Sequence, residues 1–217
     1  MNRRDTPYSA LVRYTEQTAE NYQQRNPRRH RAEMQLISRV FSGVPRGSVL
    51  DIPSGGGRVG LFLAQQGYNV TCADNAPAMV DITRRAAAET HTDIAVDQQN
   101  IESMTYPDGA FDTVVCFRLF HHFPDRAIRE RAVREMCRVA RDRIALSYFS
   151  PLAFSALERK VRGLIKGRQS KFATSLGEIR GYFEPCGFEL ERDFMQIPLL
   201  QTLHVALFKR AQPRRSF

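Results

Sequence analysis

The sequence predicts an α/β protein built on a parallel, doubly wound sheet. Three observations carry this reading. Short apolar runs alternate with amphipathic stretches of helical length across residues 48–149. The first apolar run, Val49-Leu50-Asp51-Ile52, passes directly into Pro53-Ser54-Gly55-Gly56-Gly57 and then into another helical stretch. The 217 residues suffice for one α/β domain with a good core. Strands that alternate with helices in this way lie parallel, joined by crossovers.

Taken in order, residues 8–23 read as a helix with Tyr14, Thr18 and Tyr22 on one face. Arg25 to Arg31 reads as a basic break before a second helix over roughly 32–42. Strand 48–53, helix 58–66, strand 68–73 and helix 77–88 follow, with Asn75 as a helix cap and Pro77 in the first turn. Strand 93–98 leads to the turn residues Pro107-Asp108-Gly109 and strand 112–117. Helix 125–140 alternates Arg126, Arg129, Arg131, Arg134 and Arg138 with Ile128, Ala132, Met136 and Val139, the pattern of an amphipathic surface helix. Strand 143–149 comes next. Ser175-Leu176-Gly177-Glu178 is a capping box for a helix over 175–184. Two strand-like runs, 188–195 and 202–209, close the chain around Pro198.

Composition sets bounds. No run of 18 apolar residues is present, so no transmembrane helix is expected, and the start lacks an apolar signal core, which points to the cytoplasm. The four cysteines, Cys72, Cys116, Cys137 and Cys186, are scattered without paired or metal-type spacing. They read as small buried hydrophobes in a reduced protein, and no metal site is expected. Net charge is +9, from 32 Lys and Arg against 23 Asp and Glu, which favours polyanions or phosphorylated small molecules as partners.

The glycine turn is where the chemistry concentrates. Glycines let a strand end turn sharply and approach a ligand with no side chain between. Gly55-x-Gly57-x-x-Gly60 also fits a dinucleotide fingerprint, which on its own is a weak signal. Asp51 discriminates, because an anion at the strand end would repel a pyrophosphate and suits a ligand with a cationic end. A second strand ends in Asp74, where a carboxylate can accept from ribose hydroxyls.

Together these segments resemble the class I S-adenosylmethionine-dependent methyltransferases. Val49 to Gly60 looks like that family's first motif. Asp74-Asn75-Ala76-Pro77-Ala78-Met79 resembles its second acidic turn, and Asn100-Ile101-Glu102 through Pro107-Asp108-Gly109-Ala110-Phe111-Asp112 resembles its third segment. Asn100 stands where the family usually carries Asp against the adenine amino group; its amide oxygen can still accept that bond. The resemblance implies a Rossmann-like, mostly parallel seven-stranded sheet with a C-terminal antiparallel hairpin, N-terminal helices and a helical lid. One domain would span 1–217: an N-terminal cap (1–45), a cofactor core (46–150), a basic lid (151–174) and a closing helix and hairpin (175–217). It implies S-adenosylmethionine as cofactor, held by Asp51, Pro53, Gly55, Gly57, Asp74, Asn75, Met79, Asn100, Ile101 and Phe117.

The loop after strand 112–117 holds Arg118, His121 and His122. A histidine at the mouth of the pocket can act as a base near neutral pH. In phosphoethanolamine methyltransferases a His at the place of His122 works with a Tyr from the N-terminal helix, for which Tyr14 and Tyr22 are candidates. His122 with His121 and Tyr22 is the catalytic reading, set against a structural role in holding the loop. Family members that methylate cationic amines can carry an acid where this chain has Arg118. An arginine there suits an anionic acceptor; alternatively it pairs with a neighbouring acid or with the cofactor's carboxylate. Arg162, Lys166 and Arg168 fall in a basic segment, 151–174, which can grip a phosphorylated substrate, an anionic lipid surface or RNA, or can be a solvated helix. The expected function is methyl transfer to a small or lipid-linked, anionic acceptor. An RNA methyltransferase, a non-catalytic cofactor-binding module and an NAD-dependent oxidoreductase are the alternatives.

Overall fold

The computed structural model describes residues 26–151, 172–195 and 203–212. The predicted helix over 8–23, most of the basic segment and the link through Pro198 lie outside the described residues. The first described helix, α1 (Pro27–Phe41), begins five residues before the expected position. The basic run is its first turn, not a break. Asn26 is the N-cap, its side chain accepting from the Arg28 N–H at 3.0 Å, and Pro27 takes the first helical position, where its missing N–H costs nothing.

The core alternates as expected: β1 (Ser48–Asp51), α2 (Arg58–Gln65), β2 (Asn69–Asp74), α3 (Pro77–Glu89), β3 (Ala95–Gln98), β4 (Phe111–Cys116), α4 (Arg126–Val139) and β5 (Ala140–Phe149). Then come α5 (Leu176–Phe183), β6 (Phe188–Met195) and β7 (Leu203–Arg210). All seven strands form one sheet in the order β3-β2-β1-β4-β5-β7-β6. The first five run parallel; β7 is antiparallel to both β5 and β6. Strand order reverses between β1 and β4, which is where an open α/β sheet leaves a crevice beyond its strand carboxyl ends. Ser175 caps α5 as its sequence predicts, accepting from the Glu178 N–H at 3.1 Å. Asn75 does not cap α3. Ala76 holds the cap position, and its N–H is bound at 2.9 Å by Asp74, an acid that reaches two residues forward.

Both faces of the sheet are covered. One core packs α4 and α5 against Leu50, Val114, Cys116, Leu146, Ala206 and Phe208; the other packs α1 and α2 against Val49, Val70, Val115, Ala145, Val205 and Leu207. Helix α2 lies very close to β2. A Cβ built on Gly60 would stand 2.1 Å from the Cys72 sulfur, so only glycine fits there.

The amino ends of β1, β4 and β5 are tied by polar groups. Asp112 accepts from the Ser48 N–H at 2.9 Å and its hydroxyl at 2.8 Å, and pairs with Arg141 at 2.5 Å. Arg138 pairs with Asp108 and Glu135, each at 2.9 Å, and donates to the Met104 and Tyr106 carbonyls. Among the described residues no helix is long and apolar enough to cross a membrane.

Candidate functional site

The crevice is built by the ends of β1 and β2 and the turn between Ile52 and Gly57. The Ile52 N–H donates to Val115 O at 2.9 Å, and the Ser54 N–H to Ala73 O at 2.8 Å, so the turn is pinned to the strands on either side. Pro53 follows a cis peptide bond. Gly55 and Gly57 have φ of 55° and 75°, a region glycine enters without cost. Thr83 of α3 holds the turn from outside: its hydroxyl donates to Gly55 O at 2.8 Å, and its methyl would lie 2.7 Å from a Cβ on Gly57. Nothing in the spacing of Thr83 marks it for this role.

The two strand-end acids differ. Asp51 is 1% exposed. Its Oδ2 accepts from the Gly60 N–H at 2.9 Å, while Oδ1 is buried without a hydrogen-bond partner. Burial pushes its pKa up to about 7, against the Gly60 hydrogen bond and the Arg58 charge, which pull it down. The Ser54 hydroxyl is a second buried polar group without a partner. Asp74 is engaged on both oxygens, by the Gly55 N–H at 2.9 Å and the Ala76 N–H at 2.9 Å. Burial raises its pKa and those backbone donors partly offset the rise. Each carboxylate oxygen has a second lone pair, so Asp74 can still accept from hydroxyl groups.

The third segment joins the same end of the sheet through the Gln99 N–H, which donates to Asp74 O at 3.1 Å. Asn100 turns its amide oxygen onto the Glu102 N–H at 3.0 Å, and so shapes the loop. Ile101 and Phe117 are buried at 8% and 6% exposure. Met79 packs with Ala76 and Ile82 at 1% exposure. The Asn75 carbonyl accepts from Gln98, tying α3 to β3.

A second constellation stands at the ends of β1 and β4. Glu33, on the first turns of α1, is 1% exposed and receives three arginines: Arg118 at 2.6 Å, Arg58 at 3.2 Å and Arg29 at 3.2 Å. Burial alone would raise its pKa. Arg118, Arg58 and Arg29 outweigh that and hold it below the ordinary carboxylate value. Arg58 also meets His30 Nδ1 at 3.1 Å. Of the alternatives for Arg118, pairing with an acid is the one present. Arg118 itself has φ 65°, and its N–H is bound by the Ser147 hydroxyl at 2.5 Å.

Beyond Arg118 a single turn of 3-10 helix, Phe120–His122, presents the two histidines. Their rings lie 4.1 Å apart, and His121, buried at 1%, also packs on Phe149 at 4.3 Å. His122 is the half-exposed member. The backbone returns here at Phe172, whose N–H donates to His121 O at 3.0 Å, and Thr174 N–H reaches Phe149 O at 3.0 Å. Tyr14, Tyr22, Arg162, Lys166 and Arg168 lie outside the described residues. No group of metal-ligating side chains occurs among the described residues.

This sheet order, with a glycine turn between two strand-end acids, defines the class I S-adenosylmethionine-dependent methyltransferases, and the residues fit that cofactor. The orphaned Asp51 oxygen and Ser54 hydroxyl suit the charged methionine end, and Asp74 suits a ribose. Residues 49–143 match the model of the methyltransferase domain family. The matched stretch, from β1 into the start of β5, is thus similar to a methyltransferase domain. The chain is 32% identical over 83 residues to a ubiquinone biosynthesis O-methyltransferase of Xanthomonas campestris pv. campestris, covering 38% of this chain and 35% of that one. It is 31% identical over 91 residues to a 2-heptyl-1-hydroxyquinolin-4(1H)-one methyltransferase of Mycobacteroides abscessus, covering 42% and 40%. The matches thus span between a third and two-fifths of these relatives' lengths. In fold, it superposes on a magnesium protoporphyrin IX methyltransferase from Synechocystis PCC 6803 with bound SAH at a TM-score of 0.79 and 19% identity, covering 93% of this chain and 98% of that one.

Proposed function

We propose that this protein transfers a methyl group from S-adenosylmethionine to a small or lipid-linked acceptor that carries negative charge. The buried, unpartnered Asp51 oxygen beside the glycine turn carries the cofactor part of this reading. When bound, the cofactor supplies a methyl group already activated on a sulfonium. The work left to the protein is alignment and exclusion of water.

Asp51 and the Gly55–Gly57 backbone hold the cationic methionine end, Asp74 the ribose, and Asn100 with Ile101 the adenine. Arg118 and Arg58, gathered on Glu33, concentrate positive charge at the β1 and β4 ends, which supports an anionic acceptor. His122, as neutral imidazole, takes the proton from an acceptor that enters protonated. The segment 151–174 starts beyond β5 and returns beside His121, which supports its role as a lid over that histidine turn; Arg162, Lys166 and Arg168 would add charge there. Tyr14 and Tyr22 would approach from the N-terminal cap. We place the enzyme in the cytoplasm. The relatives in ubiquinone biosynthesis and on a hydroxyquinolinone support starting the acceptor search with hydroxylated ring compounds.

Calorimetric titration with S-adenosylmethionine, S-adenosylhomocysteine and NAD tests the cofactor. Binding of the first two without NAD is the expected result; binding of NAD alone would sink the reading. With an acceptor in hand, His122→Ala should leave cofactor affinity unchanged and lower kcat by about 100-fold or more. Equal turnover would make the histidine a structural part of the loop.

A further inference from the structure

Two thiols that lie far apart in the sequence meet on the side of the molecule away from the crevice. Cys137 is in the last turn of α4, and Cys186 ends the single 3-10 turn Glu184–Cys186 that leads into β6. The Cys137 and Cys186 side chains interact across one shared cavity wall. Both line one open cavity of about 630 Å³ at the amino end of the central strands, together with Arg134, Arg138, Arg141 and Arg210. The other two cysteines are interior: Cys72 and Cys116 are each 0% exposed.

We propose that Cys137 and Cys186 are a redox-sensitive pair that closes to a reversible disulfide when the protein meets a peroxide. Accessibility assigns the roles. Cys186 is half-exposed on the cavity wall and its thiol points to the Tyr182 carbonyl at 3.6 Å; Cys137 is 4% exposed. A solvent-reached thiol beside a second cysteine is the arrangement that redox-sensing sites require. The cationic lining of the cavity can steady the departing hydroxide.

The steps balance. The Cys186 thiolate attacks one peroxide oxygen, the O–O bond breaks, and the departing hydroxide takes up a proton to become water. This leaves a sulfenic acid on Cys186. The Cys137 sulfur then attacks that sulfur, the S–S bond forms, the S–O bond breaks, and the Cys137 proton leaves with the oxygen as a second water. The two thiols lose two electrons and the peroxide gains them. Burial pushes the Cys137 thiol well above the ordinary range, so Cys137 stays protonated until the sulfenic acid forms beside it. This order makes Cys186 the attacking residue and Cys137 the resolving one.

The bond would tie the end of α4 to the corner before β6. The loop it closes contains β5 and α5, the elements that bracket the 151–174 segment and the return beside His121. Oxidation would therefore stiffen the acceptor side while leaving the β1–β2 crevice untouched.

The test is titration of the full-length protein with hydrogen peroxide, followed by alkylation, intact mass and peptide mapping. The expected result is a loss of about 2 Da with one linked peptide joining Cys137 to Cys186, reversed by a dithiol reductant. Cys186→Ala should abolish the link. Cys137→Ala should leave Cys186 as a sulfenic acid, about 16 Da heavier and trapped by a dimedone probe. A disulfide between two copies of the chain, a link through Cys72 or Cys116, or oxidation of Cys186 beyond the sulfenic stage without any linked peptide would each overturn the proposal.

Discussion

The two ends of the parallel strands are built on opposite rules. At the amino ends, polar groups are saturated: Asp112 serves Ser48 twice and Arg141 once, and Arg138 spreads its donors over two carboxylates and two carbonyls. At the carboxyl ends of β1 and β2, Asp51 and Ser54 each keep a buried oxygen without a partner, and Asp51 is held near neutrality by burial. An unsatisfied buried polar group costs roughly 1–3 kcal/mol, so a fold keeps it only where something else completes it. The satisfied end sustains the architecture. The unsatisfied end is made for a ligand.

Substitutions can break or sharpen this contrast. The largest effect belongs to the close approach of α2 to β2. Gly60→Val should destabilise the protein by about 3 kcal/mol or more in chemical denaturation, because its Cβ would overlap the Cys72 sulfur and crowd Asp51. A loss under about 1 kcal/mol would mean α2 can lift from β2 at little cost. Asp74→Ala should weaken S-adenosylmethionine binding by about 30-fold, from the loss of charge-assisted acceptors worth about 2 kcal/mol. Unchanged affinity by calorimetry would remove Asp74 from the ribose site.

A smaller effect follows from Asp51. Its folded pKa of about 7 exceeds the ordinary aspartate value of 3.8, so the ligand-free protein loses stability as pH rises from about 4 to about 7. A ligand with a cationic end prefers the ionised form, so its affinity should rise roughly eightfold between pH 6 and 7.5. Asp51→Asn should flatten most of that slope. If the slope persists, the titrating group lies elsewhere, with Asp74 the next candidate. The smallest effect belongs to the saturated end. Asp112→Ala should cost about 1 kcal/mol of stability and leave cofactor affinity unchanged. Its carboxyl is held below its ordinary pKa, first by the Ser48 backbone bond, so its contribution is present above about pH 4 and fades as the solution is acidified further. A parallel fall in cofactor affinity would show that the two ends are not independent.

The same contrast governs what could be read in advance. Signals local in sequence carried through: the Gly55–Gly57 turn, the Ser175 cap and the strand over 188–195 all stand where their residues put them. The start of α1 differs from the expected one because a run of basic residues hides the stronger signals, an Asn cap followed by Pro. Glu33 could not be picked out. On its own helix it resembles a solvated acid, and its partners Arg58 and Arg118 come from 25 and 85 residues away. The pairing of Cys137 with Cys186 is likewise a property of the tertiary fold, invisible to spacing. Thr83 gains its role only because α3 packs on the glycine turn.

The Glu33 cluster has a consequence for how this protein opens. One carboxylate gathers guanidinium groups from α1, from the start of α2 and from the exit of β4, so it is the loss of Glu33 that would set like charges against each other. Lifting α1 would leave Arg58 and Arg118 without their shared counter-charge. α1 and the strand ends it covers should therefore open together, and amide hydrogen exchange should find the first turns of α1 as protected as the strand ends beneath them.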